Sequence, residues 1–242
     1  PRAKLVSMLL CGATVVPVQG TYDDAFRLSL EYTARRGGLN RNTAYHPLTI
    51  EGKKTAGLEL WAQLGRRAPD AVVVSVGDGV ILGGLHKAFV DLQRMGLIDT
   101  LPRLIGVQAE RSDAIHRFVQ TGSYSDAPSP TTCADSISVT CPSHAHGARR
   151  AITESRGLTL RVSDAEILDA QARLAAATGV FTEPAGAAAF AGLVKLQAST
   201  EALPADARVV VMATGHGLKD IEAPLSRIAL PAAIPPTLEA LP

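Results

Sequence analysis

Val72-Val73-Val74-Ser75-Val76-Gly77-Asp78-Gly79-Val80-Ile81-Leu82-Gly83-Gly84 carries the strongest structural signal in the chain. A β-branched run that stops at Gly-x-Gly and passes into Leu85-His86-Lys87-Ala88-Phe89 reads as a buried parallel strand, a tight turn and a helix. Glycines let the backbone approach a ligand closely, and the free N–H groups and positive dipole end at the start of a helix favour a phosphate. The same pattern also serves as a plain βα turn in an open sheet. It is not a nucleotide P-loop, because no Gly-Lys-Ser/Thr follows at the required spacing. Nor is it the dinucleotide fingerprint, since Leu82 stands where the third glycine belongs.

The helix after the turn runs to about Met95 and stops at Gly96, and Arg103 to Ala109 is the next strand. This βαβ order predicts a parallel, right-handed unit. Upstream, Glu51-Gly52-Lys53-Lys54-Thr55 leads into a helix over Ala56 to Leu64, and residues 39–50 read as irregular. Tyr22-Asp23-Asp24 opens another helix with Thr21 as its N-cap, ended by Gly37-Gly38. Before it the pattern predicts a strand over Ala13 to Val18 and a helix over Lys4 to Leu10. One strand and two helices do not cover a sheet on both faces, so this opening region is expected to need residues upstream of Pro1, or a partner chain, to complete it.

Downstream, residues 122–130 form a Ser-, Pro- and Gly-rich surface loop. Ala134 to Val139 is a short segment in which Asp135-Ser136 either lines a cavity or makes a turn. A helix is expected over Gly147 to Ser155 and a strand over Gly157 to Val162. Ser163-Asp164-Ala165-Glu166 matches a capping box that opens a helix closed by Gly179. Glu183-Pro184 places proline at the first position of a further helix, whose small residues allow close packing. Arg208 to Ala213 is the last strand, followed by Thr214-Gly215-His216-Gly217-Leu218-Lys219-Asp220. From Ile228 onward the prolines, Pro242 included, predict an extended tail.

The 242 residues are 46% hydrophobic but only 4% aromatic, which suits an α/β core built from Ala, Val, Leu and Ile. A net charge of +1 and the lack of a basic stripe argue against a nucleic-acid partner. No apolar run reaches the ~18 residues of a membrane span, and the start lacks a signal-peptide pattern, so a cytoplasmic location is expected. Cys11, Cys133 and Cys141 show no paired spacing and read as reduced, buried, small apolar residues. His144-x-His146 offers two imidazoles without a third ligand. It is read as a solvated loop, and no metal is expected.

Taken together, Glu51-Gly52-Lys53-Lys54-Thr55, Val76 to Gly79, Leu101 to Glu110, Val162-Ser163-Asp164, Glu183-Pro184-Ala185 and Thr214 to Asp220 resemble threonine synthase. That family belongs to the tryptophan-synthase-β-like, fold type II enzymes that use pyridoxal 5'-phosphate (PLP). The resemblance implies an open, mostly parallel α/β sheet with helices on both faces. Residues 1–38 would be the remainder of a small domain, 39–227 a large PLP-binding domain and 228–242 an extended tail.

By the same resemblance, Gly77, Asp78, Gly79, Val80 and Ile81 would hold the cofactor phosphate. Thr214 would bond the pyridine nitrogen and Glu183 would lie beside the cofactor, although a carboxylate before a helix is favourable on dipole grounds alone. Thr43, Thr49 and His216 are substrate-side candidates. The activity implied is elimination or replacement at the β or γ carbon of an amino acid, with formation of threonine from O-phosphohomoserine as the family reaction. An amino-acid dehydratase or other β-replacement enzyme, and a non-catalytic relic of the fold, are the alternatives.

Two departures stand out. No lysine here matches the Ser-x-Lys-Asp segment that carries the family's Schiff base, so the chain is expected to be truncated and inert alone, and a homodimer or a missing N-terminal segment is expected as its partner. Thr43, Ala44, Thr49 and Ile81 also stand where threonine synthases offer phosphate donors, which weakens the case for a phosphorylated substrate.

Overall fold

The computed structural model describes residues 2–238. The first helix, α1 (Arg2–Leu10), is followed by α2 (Tyr22–Arg36), which carries the capping box of Thr21 and Asp24 and ends at Gly37. Neither helix buries a residue. The strand expected over Ala13 to Val18 is absent. That segment is irregular and Val16 is 73% exposed, because no described strand lies alongside to complete a ladder. Helix α3 (Leu48–Gln63) begins eight residues before the expected Ala56. Pro47 caps it, a position where a missing N–H costs nothing.

The sheet is built next. Strand β1 (Ala71–Ser75) leads through the glycine turn into α4 (Val80–Arg94), and β2 (Arg103–Ala109) follows with α5 (Ala114–Thr121). Asp135–Ile137 is a single 3-10 turn. Helix α6 (Ala145–Glu154) and strand β3 (Leu158–Val162) come after it. The expected capping box opens α7 (Asp164–Thr178), and Pro184 opens α8 (Pro184–Gln197). The chain then forms β4 (Val209–Val211) and a short α9 (Glu222–Leu225). Residues 228–238 are irregular and exposed, whereas Pro1 and Pro242 lie outside the described residues.

All strand pairs are parallel, in the order β3-β2-β1-β4. Alternation along β1 sends Val73 to one face and Val72 and Val74 to the other, so two cores form. On one face α7 and α8 pack through Ile167, Ala187, Ala188 and Leu196. On the other, Leu82, Leu85, Phe89 and Leu92 of α4 recur at helical spacing and meet α6 and Ile115 of α5. Each such side chain, once fully buried, contributes about 2–3 kcal/mol of apolar transfer. The small residues of α8 bring it close to the sheet: a Cβ on Gly192 would sit 2.2 Å from Val107. The fold is thus the open parallel α/β sheet expected, with helices on both faces.

The cysteines are a correction. Cys11 and Cys141 are exposed and Cys133 is half-buried: α1 buries nothing, and Cys141 lies on a surface loop where its N–H donates to Asp23 and its Sγ accepts from the Tyr124 hydroxyl. His144 is also not in a solvated loop. It stands before α6 with its half-buried ring against Gly83 and Gly147, where a Cβ would come within 2.4 and 2.0 Å of the ring.

Candidate functional site

From β1 the chain winds outward through β2 to β3, then returns to lay β4 on the other side of β1. The carboxyl ends of β1 and β4 therefore flank the point where the strand order reverses, the crevice in which open α/β sheets place ligands. A cavity of about 290 Å³ lies there. Ser75 and Gly77 to Leu82 line it from the β1 side, Thr214 and Gly215 from the end of β4. Ser136, Glu183, Thr43, Lys53 and Lys219 complete its polar wall.

Packing decides the shape of the glycine turn. Gly79 caps α4 at φ 87°, and a Cβ there would lie 2.8 Å from Ala148 Cβ and 3.1 Å from Ile115 Cδ1. A side chain would be strained both in backbone and in space. The ladder ends where Val76 N donates to Val107 O at 2.8 Å, and the helix ladder starts where Gly83 N donates to Gly79 O at 2.9 Å. Between them, the N–H groups of Gly77 to Leu82 meet no backbone acceptor among the described residues. A helix start leaves four orphan donors, and the turn adds Gly77 and Asp78 to that set. Ser75 Oγ is a further orphan. It is buried without a partner, on a residue 5% exposed that lines the same cavity.

The carboxylates at the cavity are already engaged. Asp78 accepts from Ser143 N at 3.1 Å and from the Tyr22 hydroxyl at 2.9 Å. Burial and the Asp78 charge push the Tyr22 phenol well above its ordinary pKa, so it remains the donor. Glu183 stands at the dipole-positive start of α8, 3.4 Å from Lys4 Nζ, and accepts weakly from Ser136 Oγ at 3.4 Å. Lys4 also donates to Ser136 Oγ at 2.8 Å and lies 3.3 Å from Asp135. Thr214 is brought in by close packing: a Cβ on Gly186 would fall 1.8 Å from its carbonyl oxygen.

Of the residues expected at a site, the structure gathers Gly77, Asp78, Gly79, Val80, Ile81, Glu183, Thr214 and Thr43 around one cavity, and Ser136 with them. Thr49 and His216 do not line it. The Thr49 hydroxyl is buried without a partner, and His216 Nδ1 caps a 3-10 turn by accepting from Leu218 N at 3.2 Å. Ser75, Lys53 and Lys219 also line the cavity, although no sequence motif marks them for a site. Ser75 had a signal, a hydroxyl inside an otherwise apolar strand, whereas Lys53 is indistinguishable in sequence from its paired neighbour Lys54. Among the described residues no group of His, Cys, Asp and Glu is placed to hold a metal, and no helix is long and apolar enough to cross a membrane.

Six free N–H groups at a positive helix end, a buried hydroxyl and a lysine lining the same cavity make a cradle suited to a phosphate monoester, and Thr214 lines that cavity from the end of β4. The chain belongs to the pyridoxal-phosphate dependent enzyme family, whose pattern matches residues 1–215. It is 35% identical to the threonine synthase of Methanocaldococcus jannaschii over 222 residues, 91% of this chain and 54% of that protein. The threonine synthase of Methanosarcina acetivorans is 34% identical over 98% of this chain and 59% of its own length. The chain thus spans little more than half the length of these relatives. Among solved structures, a threonine deaminase from T.th. superposes with a TM-score of 0.71 at 27% identity, covering 89% of this chain and 66% of that one. Maize serine racemase superposes with the same TM-score of 0.71 at 18% identity, covering 87% of this chain and 60% of its own, a likeness of fold.

Proposed function

We propose that residues 39–227 are the PLP-binding domain of an enzyme of threonine synthase type, acting by elimination or replacement at the β or γ carbon of an amino acid. Residues 1–38 would belong to its smaller domain. The observation that carries this reading is the row of unpaired N–H groups from Gly77 to Leu82 facing Thr214 across the β1/β4 reversal. When bound, the cofactor supplies an electron sink for the bond broken at the substrate's α carbon. The chain's residues position it. Gly77, Asp78, Gly79, Val80 and Ile81 hold the phosphate through backbone donors. Thr214 bonds the pyridine nitrogen with a neutral hydroxyl that does not fix a proton there. Glu183, charge-balanced by Lys4, lines the cavity beside Thr214, and Thr43 faces the substrate side.

A second reading has its own observation. Thr43 and Ile81 give the cavity few donors for a substrate phosphate, and Ala44 and Thr49 do not line it. This favours an amino-acid dehydratase, in keeping with the likeness to a threonine deaminase. No lysine among the 242 residues stands in a Ser-x-Lys-Asp segment, so the chain by itself is proposed to be inert. The test is to add PLP, reduce with borohydride and map any labelled lysine by mass spectrometry while assaying O-phosphohomoserine, threonine and serine. Cofactor held without a stoichiometric lysine adduct or turnover is the expected result. One labelled lysine with turnover of an amino acid refutes inertness, and turnover of O-phosphohomoserine to threonine refutes the dehydratase reading.

A further inference from the structure

Two lysines at the contact of α3 with α4 share a pair of carboxylates, and a third is left over. Lys54 lies 2.9 Å from Glu51 and 3.0 Å from Asp91, and Lys87 lies 3.0 Å from the same Glu51 and 3.5 Å from Asp91. Lys53 meets no carboxylate within ion-pairing distance among the described residues. It is half-buried and lines the cavity at the glycine turn.

The helix contact fixes this placement. A Cβ on Gly84 would come within 2.7 Å of Lys53 Cβ and 2.9 Å of its backbone carbon, and a Cβ on Gly57 within 2.5 Å of Ala88. Two missing side chains thus press the root of Lys53 onto α4 at Gly84. That point lies about 6 Å, one helical turn, from the free N–H groups at Val80. An extended lysine side chain spans that distance. Asp78 and Glu183, the carboxylates of the cavity, already have Ser143, Tyr22 and Lys4 as partners, so neither claims the ammonium.

We propose that Lys53 is a cofactor-binding residue whose ammonium pairs with the phosphate monoester held at the start of α4. This rests on the reading of the cavity given above. The backbone cradle supplies directional donors with little net charge, and the lysine supplies the formal charge that a dianion needs in a partly desolvated site. Lys219, the other lysine of the cavity, is exposed on the opposite wall after β4 and does not share this position.

The test uses pyridoxine 5'-phosphate, which has no aldehyde to react with lysines, with inorganic phosphate and unphosphorylated pyridoxine as companions. Binding is followed by calorimetry and by 31P NMR on the wild-type chain, Lys53→Gln and Lys53→Arg, with circular dichroism confirming that each is folded. Lys53→Gln should bind pyridoxine 5'-phosphate and phosphate about ten- to a hundredfold more weakly, leave pyridoxine unchanged, and show a shallower salt dependence. Lys53→Arg should stay within a few-fold of wild type. Unchanged phosphate binding in a folded Lys53→Gln overturns the assignment but leaves the cavity reading standing. An equal loss for pyridoxine overturns it too, as a general change of the pocket. A wild-type chain that binds neither phosphate compound overturns both.

Discussion

The sheet and the first 47 residues are held together by different forces. In β1, Ala71 to Val74 are fully buried, and α4 buries nine of its residues. Helices α1 and α2 bury none, and Leu9 and Leu10 are 57% and 82% exposed. What attaches the N-terminal helices is polar: Lys4 to Glu183 and Ser136, Tyr22 to Asp78, and Asp23, which accepts from Thr140 N and Cys141 N at 3.1 and 3.2 Å. Stability therefore resides in the sheet. The contacts of the N-terminal helices converge on the candidate site, so their worth lies in positioning it.

Truncations measure this contrast most directly. Leu85→Ala should cost about 3 kcal/mol in denaturant unfolding, through lost burial and a cavity, whereas Leu9→Ala should change stability by less than about 0.5 kcal/mol. Equal losses would mean that the N-terminal helices share the core. Next in size is Gly79→Val. Its positive φ and the contact with Ala148 should cost about 2 kcal/mol and abolish detectable phosphate binding. A variant that still binds phosphate as wild type does would remove the glycine turn from the site.

Tyr22→Phe tests the polar attachment. Loss of the bond to Asp78 should cost about 1 kcal/mol or less, yet speed proteolysis between residues 37 and 47 several-fold. The smallest effect is one of pH. Burial holds the His86, His116 and His144 imidazoles below their ordinary pKa, against partial opposition from Glu154, Asp113 and Asp78 respectively. The unfolded chain therefore takes up protons first, and the stability present above about pH 6.5 should decline as pH falls below it. Urea unfolding at pH 7.5 and 5.5 reads the slope, and His144→Asn should flatten it. A stability that rises toward pH 5.5 contradicts the assignment.

The sequence revealed the sheet because its signals agree locally. The Val72 to Val74 run, the Gly77/Gly79 turn, Ser163 with Glu166, and Pro184 after Glu183 each fix their own element whatever lies beyond it. It misled at Ala13 to Val18, where β-branched residues without a neighbouring strand have nothing to pair with. The glycine turn and Thr214 were likewise visible as motifs. Lys53 was not, since what separates it from Lys54 is the contact with Gly84, a relation between helices that no local pattern carries. The seating of His144 is hidden from the sequence for the same reason, since its ring packs against Gly83 on another helix.

The strand order also sets the sequence of events in folding. Strands β1, β2 and β3 are joined by successive crossovers and assemble from near neighbours. β4 must return across the whole unit, and Arg208 N reaches Asp70 over a separation of 138 residues. Contacts of that range form late, because a long loop has to close before they give any return. Thr214 follows that last strand and lines one cavity with a glycine turn built on β1, whose own neighbours come earlier in this order. Under the roles proposed for the glycine turn and Thr214, phosphate affinity should therefore appear before affinity for the ring during refolding, so that ring binding times the arrival of β4.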